Sequence, residues 1–335
     1  MKYFSKRTWF ILILVSVLLF SVISLVFFLN NPNMIIISDG NKEMQEALNK
    51  YTEKNSLSKN IPVYYYERGF IENVLESVII KKPILIIGPR TSEDANQLLP
   101  YMRDNQNIFV ISPLVTVSSI IGFNESFITM NLPNSLRASS LARTIERDNV
   151  WKVYVLIDEI NETFSNEILD HFRLEYNGKI IGILKISNRN EIEVNEEMKK
   201  SDGIISFSDA ISTGILMSTL REKGYEGNFY ATEYAFSDDL TLFDKEIIGD
   251  LKLFVPIASM PGEKIKSVNF VGTYNALVVT DYIMSHYGYD LEKAFDEIKD
   301  IYFEGYDGEF SITESFFCNR DYQIVKLEDT GIWED

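Results

Sequence analysis

The stretch ILIIGPRTSEDANQLLPYMRDNQNIFVISPLVTVSSI, residues 84–120, decides the fold. It opens on a continuous apolar run, ILII (84–87), and then sets Thr91 and Asp94 at capping-box spacing, which predicts a helix over 92–105. A second apolar run, IFVI (108–111), follows. Strand, helix, strand is the repeating unit of a parallel sheet. Because the runs are apolar throughout instead of alternating, each strand is expected to be covered by helices on both faces.

The same rhythm extends in both directions. Upstream lie MIII (34–37) and VYYY (63–66), separated by NKEMQEALNKYTEKN (41–55) at helical period. Pro133-Asn134-Ser135 interrupts the pattern, and a second series follows in KVYVLI (152–157), KIIGILKI (179–186), GIISF (203–207) and NFYA (228–231). Two α/β lobes of about 150 residues each are implied, joined by short crossovers that can act as hinges. SVNFVGTYNALVVTDYIMSHY (267–287) predicts a long helix apolar around much of its circumference. Asn269, Asn275 and Asp281 would be costly in lipid, so it reads as core and not as a membrane span.

Trp9 to Leu29 is different: 21 residues with no charge and only three serines, long enough to cross a bilayer. Lys2, Lys6 and Arg7 all precede it, so the expectation is a cytoplasmic tail (1–8), an anchor (9–29) and an extracytoplasmic remainder. A cleaved signal peptide is the rival, disfavoured by the length of the run and by the lack of a small-x-small site in FFLNNPN. After residue 33 there are 29 basic against 49 acidic side chains, a formal charge of −20, which repels nucleic acid.

Little in the chain points to chemistry. HExxH, GxSxG, GxxxxGK[ST] and GxGxxG are all absent, and one cysteine (Cys318) and two histidines (His171, His286) supply neither a disulfide nor a thiolate or multi-histidine metal cluster. The expectation is no enzyme and no cofactor. The adjacent acids Asp158-Glu159 and Asp238-Asp239 read as solvated surface. Asn124 and Asn161 head glycosylation sequons that matter only in a glycosylating host.

The 84–120 stretch, with its strand, Gly-Pro-x-x-Ser, helix, strand, Ser-Pro-x-x-Thr order, resembles the type I periplasmic binding proteins, the branched-chain amino-acid receptor family. FITMNLPNSLRASSLARTI, WKVYVLIDEINETFSNEILDHF, the SDGIISF to FSDDL segment, GTYNALVVTDYIM and FEGYDGEF continue the likeness in order. The resemblance implies two Rossmann-like lobes closing as a clamshell on a small solute. It divides the chain into lobe one (34–131), lobe two (132–254), a return to lobe one (255–310) and C-terminal strands in lobe two (311–335).

It also implies a site. Ser92, opening a helix, matches a serine that holds a ligand carboxylate, although Thr91 or Ser92 can equally serve only as a cap. Thr116 falls on a second ligand position, with Leu114 offering backbone contacts; a turn threonine is the plainer reading. Glu233 matches the acid that meets the ammonium of amino-acid ligands, against the alternative of an exposed loop glutamate. Phe164 stands where relatives carry tyrosine and would wall the pocket without a hydroxyl. Arg90 could reach an acidic ligand or make surface pairs. The implied function is capture of an amino acid or similar small polar ligand for an ABC-type transporter, with a membrane permease as partner. The alternative is an anchored interaction or sensory module whose pocket has degraded, favoured by the short Asp39-Gly40 loop and by Phe164-Ser165.

Overall fold

The computed structural model describes residues 34–55, 61–80, 85–105, 107–121, 125–256, 266–299, 301–320 and 322–334. The expected tail and anchor, residues 1–29, lie outside these, as does Asn124. Among the described residues no helix is long and apolar enough to cross a membrane.

The first sheet is parallel, in the order β2-β1-β3-β4-β5, from β1 (Met34–Ser38), β2 (Val63–Tyr65), β3 (Leu85–Ile87), β4 (Phe109–Ser112) and β5 (Phe127–Thr129). Period-two geometry sends Ile36 to one face and Ile35 and Ile37 to the other, and all three are buried. Ile36 packs under α1 (Lys42–Lys54) and the long helix over Val268–His286, through Met44, Tyr51, Leu277 and Ile283. Ile35 and Ile37 pack under α2 (Glu72–Ile80) and α3 (Ser92–Asp104), through Leu75, Ala95 and Leu98. Both faces of the inner strands β1 and β3 are therefore dry, which is why MIII and ILII show no alternation.

The second sheet runs β14-β10-β9-β8-β6-β7, built from β6 (Lys152–Asp158), β7 (Lys179–Ile186), β8 (Gly203–Phe207), β9 (Asn228–Thr232) and β10 (Lys252–Pro256), with β14 (Tyr322–Lys326) antiparallel at one edge. Its faces are covered by α4 (Asn134–Arg147) and α5 (Glu162–Glu175) on one side, and by α6 (Glu196–Lys199), α7 (Ala210–Glu222) and α8 (Lys245–Ile248) on the other. The chain then returns to the first lobe as α9 (Val268–His286) and α10 (Leu291–Glu297). A small antiparallel sheet follows, from β11 (Tyr302–Gly305), β12 (Gly308–Ile312) and β13 (Cys318–Asn319).

The last crossing differs from the expected position at 311. Ile312, Phe316 and Cys318 share a core with Ile36 and Ile111, so the chain leaves the first lobe only near Arg320. The reason is the hairpin: β12 pairs with both β11 and β13, and Phe310 and Ile312 are buried in the core of the first lobe.

α9 is core, as its sequence implies, and Gly272 on it has no room for a side chain: an added Cβ would lie 2.4 Å from the Pro113 carbonyl. Gly88, at φ +106°, is required where β3 turns into the α3 loop, because a Cβ there would meet the Ile37 carbonyl at 2.5 Å. In both sheets the carboxyl ends of the parallel strands face the gap between the lobes, and Met34 enters β1 at the opposite end.

Candidate functional site

The loops at those carboxyl ends enclose one cavity, and residues from both lobes line it. Arg90 and Ser92 come from the β3–α3 loop, Leu114 and Thr116 from the segment after β4, and Val268 and Asn269 from the start of α9. Across from them stand Asn161 and Phe164 at the start of α5, and Glu233 and Tyr234 just after β9. All six positions that the resemblance singles out therefore meet in one place. The space is narrow, about 30 Å³, against the several hundred usual for a ligand pocket.

Thr91 is the cap of α3: its Oγ1 accepts from the Asp94 amide at 3.2 Å and donates to the Asp94 carboxylate at 2.5 Å. That leaves Ser92 uncommitted to capping, with Oγ accepting only a long 3.4 Å bond from the Thr116 amide. The Thr116 hydroxyl is buried and has no hydrogen-bond partner, a costly state for a polar group in a dry site.

Both charged residues of the lining, Arg90 and Glu233, are ion-paired. Arg90 is buried, not outward on the surface: its Nε lies 3.0 Å from Asp39 Oδ2 and its Nη1 3.1 Å from Asn269 Oδ1. Burial pushes the Asp39 carboxyl up, but Arg90, with help from Arg68, outweighs it and holds Asp39 below the usual carboxylate range. Glu233 is buried too, ion-paired to the fully buried Arg137 and accepting from Asn131 Nδ2 at 3.1 Å. Arg137 also donates to Asn134 Oδ1 at 2.9 Å.

Asp158 corrects the expectation of a solvated acid. It is buried, with Oδ2 accepting from Arg68 of the other lobe at 3.0 Å and from the Tyr234 hydroxyl at 2.5 Å. Burial outweighs Arg68 here, so its carboxyl sits above the usual range. Further bonds close the lobes: the Glu93 amide donates to Asn161 Oδ1 at 3.3 Å, Thr163 donates to the Glu93 carboxylate, and the Ser118 amide donates to Glu167 at 2.8 Å. Asn161 is thus buried in the joint, where a glycan would not fit.

Sequence reading missed Arg68, Arg137 and Tyr234, each of which acts through a partner 76 or more residues away. Phe164 walls the cavity, packed edge-on to Tyr234 at 5.4 Å. His171 and His286 are remote from it: the first lies 3.8 Å from Glu167 on α5, and the second stacks on Tyr282. Among the described residues no group of His, Cys, Asp and Glu could hold a metal ion.

Two α/β lobes closing on a cavity at the carboxyl ends of their strands define the fold of the type I periplasmic binding proteins. Solved structures that share it include the leucine-binding protein LivK of Thermotoga maritima, with 14% identity and TM-score 0.71 over 88% of this chain and 99% of that one. LivJ of Streptococcus pneumoniae, solved with isoleucine, has 13% identity and TM-score 0.72 over 89% and 96%. An ABC-transporter solute-binding protein of Rhodopseudomonas palustris, solved with p-hydroxybenzoic acid, has 13% identity and TM-score 0.75 over 88% and 92%. No protein-family model and no curated protein matches the chain.

Proposed function

We propose that this chain is a receptor for a small polar solute, held at the membrane by residues 9–29 and gripping its ligand between the lobes, probing the extracytoplasmic space for an ABC-type permease. The observation that carries the reading is the cavity itself: Ser92 and Thr116 from one lobe meet Phe164 and Glu233 from the other, with the Thr116 hydroxyl unpartnered. A ligand touching both walls stabilises the closed form by its differential affinity for it. Binding, not bond-making, is the work of such a site. The sequence points to an amino acid within that class, and the neighbouring structures hold both isoleucine and a hydroxybenzoate.

A thermal-shift screen of small polar solutes, amino acids included, tests the reading, with calorimetric titration of each hit and Glu233→Ala as control. A true ligand at a hundred times its Kd adds about 2.7 kcal/mol, which raises Tm by roughly 5 °C in a chain of this size. No hit in a broad screen would end the proposal.

One observation favours the second reading, an anchored interaction or sensory module. The cavity is only about 30 Å³, and the lobes are already bridged by Arg68–Asp158 and Glu93–Thr163. A protein that scatters as a closed particle without solute, and does not change on adding any, would support that module instead.

A further inference from the structure

We infer that the cavity takes a small carboxylate that carries no amine, and that Arg137 is the positioning residue that sets this preference. The inference rests on the solute-receptor reading and narrows it.

An ammonium needs an uncommitted anion to replace its hydration. Glu233 is the one carboxylate among the residues that line the cavity, and Arg137 holds it; behind the lining, Asp39 is held by Arg90 and Asp158 by Arg68, while Glu43 is occupied by the Asn269 side chain and the Asp238 amide. The Glu233 pair is the most buried of these ion pairs. Arg137 has no exposed surface, so it cannot swing into solvent when a ligand arrives, and Asn131 occupies the second carboxylate oxygen. The guanidinium carbon lies 5.4 Å from the ring of Phe164, which walls the cavity. An ammonium placed against Glu233 would therefore meet the attraction of the carboxylate and the repulsion of a fixed cation at similar range, and the two largely cancel.

The opposite wall presents donors. Thr116 lines the cavity and is 2% exposed, and its hydroxyl is buried without a partner. Ser92 Oγ accepts from the Thr116 amide, which leaves its own O–H to donate. Both stand at the amino end of the thirteen-residue α3, where the helix dipole favours negative charge. The acids in the first turn of α3 are engaged elsewhere: Glu93 with Thr163, Asp94 with Thr91, Tyr66 and the Gly69 amide. Donors on one wall, a neutralised acid on the other and Leu114, Val268 and Phe164 between them suit a carboxylate with a short apolar tail.

The test is titration of the full-length protein with matched pairs: acetate and glycine, propionate and alanine, 3-methylbutanoate and valine. The expected result is at least tenfold tighter binding of the amine-free member of a pair. Tighter binding of the amino acid would overturn the inference and leave the receptor reading standing; binding only of solutes outside these pairs would do the same. Binding of no solute at all would overturn both. Arg137→Met frees Glu233 and should swing the preference at least tenfold toward the amine, and an unchanged preference would remove Arg137 from the account. Should that variant not fold, Glu233→Gln decides: it strips the anion and leaves the buried Arg137 cation, so the preference for the amine-free member of each pair should widen at least threefold, and a preference that does not widen would overturn the assignment.

Discussion

Arg68→Met should open the clamshell. Arg68 and Asp158 belong to different lobes, so their ion pair exists only when the lobes are together. The Arg68 side chain is 24% exposed and that of Asp158 6%. Breaking a fully buried pair costs about 3–5 kcal/mol and an exposed one under about 1; this half-sheltered pair lies between, at about 2 kcal/mol. All of it falls on the closed state, which shifts the closed-to-open ratio about thirtyfold and weakens any ligand that needs closure by up to the same factor. Energy transfer between dyes on Lys54→Cys and Lys223→Cys, one exposed position on each lobe, reads the change, and buried Cys318 stays unlabelled. The pH dependence has a definite sign. In the closed form the Asp158 carboxyl is raised by burial, and losing Arg68 removes the charge that opposed the rise. Closing then takes up a proton, so the variant should reclose as pH falls and open as pH rises through the raised value. A variant as closed as wild type at about pH 8, or one whose opening ignores pH, would refute the reasoning.

Gly272→Ala drives a Cβ to 2.4 Å from the Pro113 carbonyl beside Leu114. It should cost about 2 kcal/mol of stability by overpacking, seen as a lower urea midpoint with unchanged slope; an unshifted midpoint would contradict the fit of α9 against that loop. Asp39, depressed below its ordinary pKa by Arg90, contributes stability that is present above the ordinary carboxylate range and is lost as pH falls through the depressed value. Asp39→Asn should therefore flatten the acid limb of a stability-versus-pH curve and, by stranding buried Arg90, cost about 3 kcal/mol at neutral pH. Cys318 is fully buried, with its thiol pushed up to about 11. A disulfide reagent at pH near 8 should find no thiol in the native protein and one after denaturation.

The inner strands were legible because both faces of each are covered. MIII, ILII and GIISF are apolar runs that a buried parallel strand explains, and they fall on β1, β3 and β8, whereas KIIGILKI forms the half-exposed edge strand β7. The α3 cap was legible for a local reason: Thr91 and Asp94 are three residues apart and satisfy each other. The meeting of Ser92, Thr116, Phe164 and Glu233 followed from a resemblance in motif order, since no local pattern says that segments more than a hundred residues apart share a wall. What escaped was the pairing of charges. Asp158 has the sequence look of a surface acid, and its burial depends on Arg68, 90 residues earlier in the other lobe. Arg137 is an ordinary helix residue by period, and nothing around it announces Glu233, 96 residues on. Arg90 met Asp39 across 51 residues in the same way. Ion pairs between distant segments leave no periodicity, so a charged residue bound for the interior looks like any other charge in the text of the chain.

The direction in which β1 is entered carries a mechanical consequence. Met34 sits at the floor of the first lobe, and the five-residue strand climbs about 16 Å from there toward the cavity. With the proposed anchor ending at Leu29, only residues 30–33 intervene, a leash of at most about 14 Å. So anchored, the molecule would stand like a cup with its base toward the bilayer and its rim turned outward. A permease in the same sheet of lipid would face the base, and delivery would demand that the cup tip over on its short leash, whereas a partner rising high above the membrane, or one anchored elsewhere, would meet the rim directly.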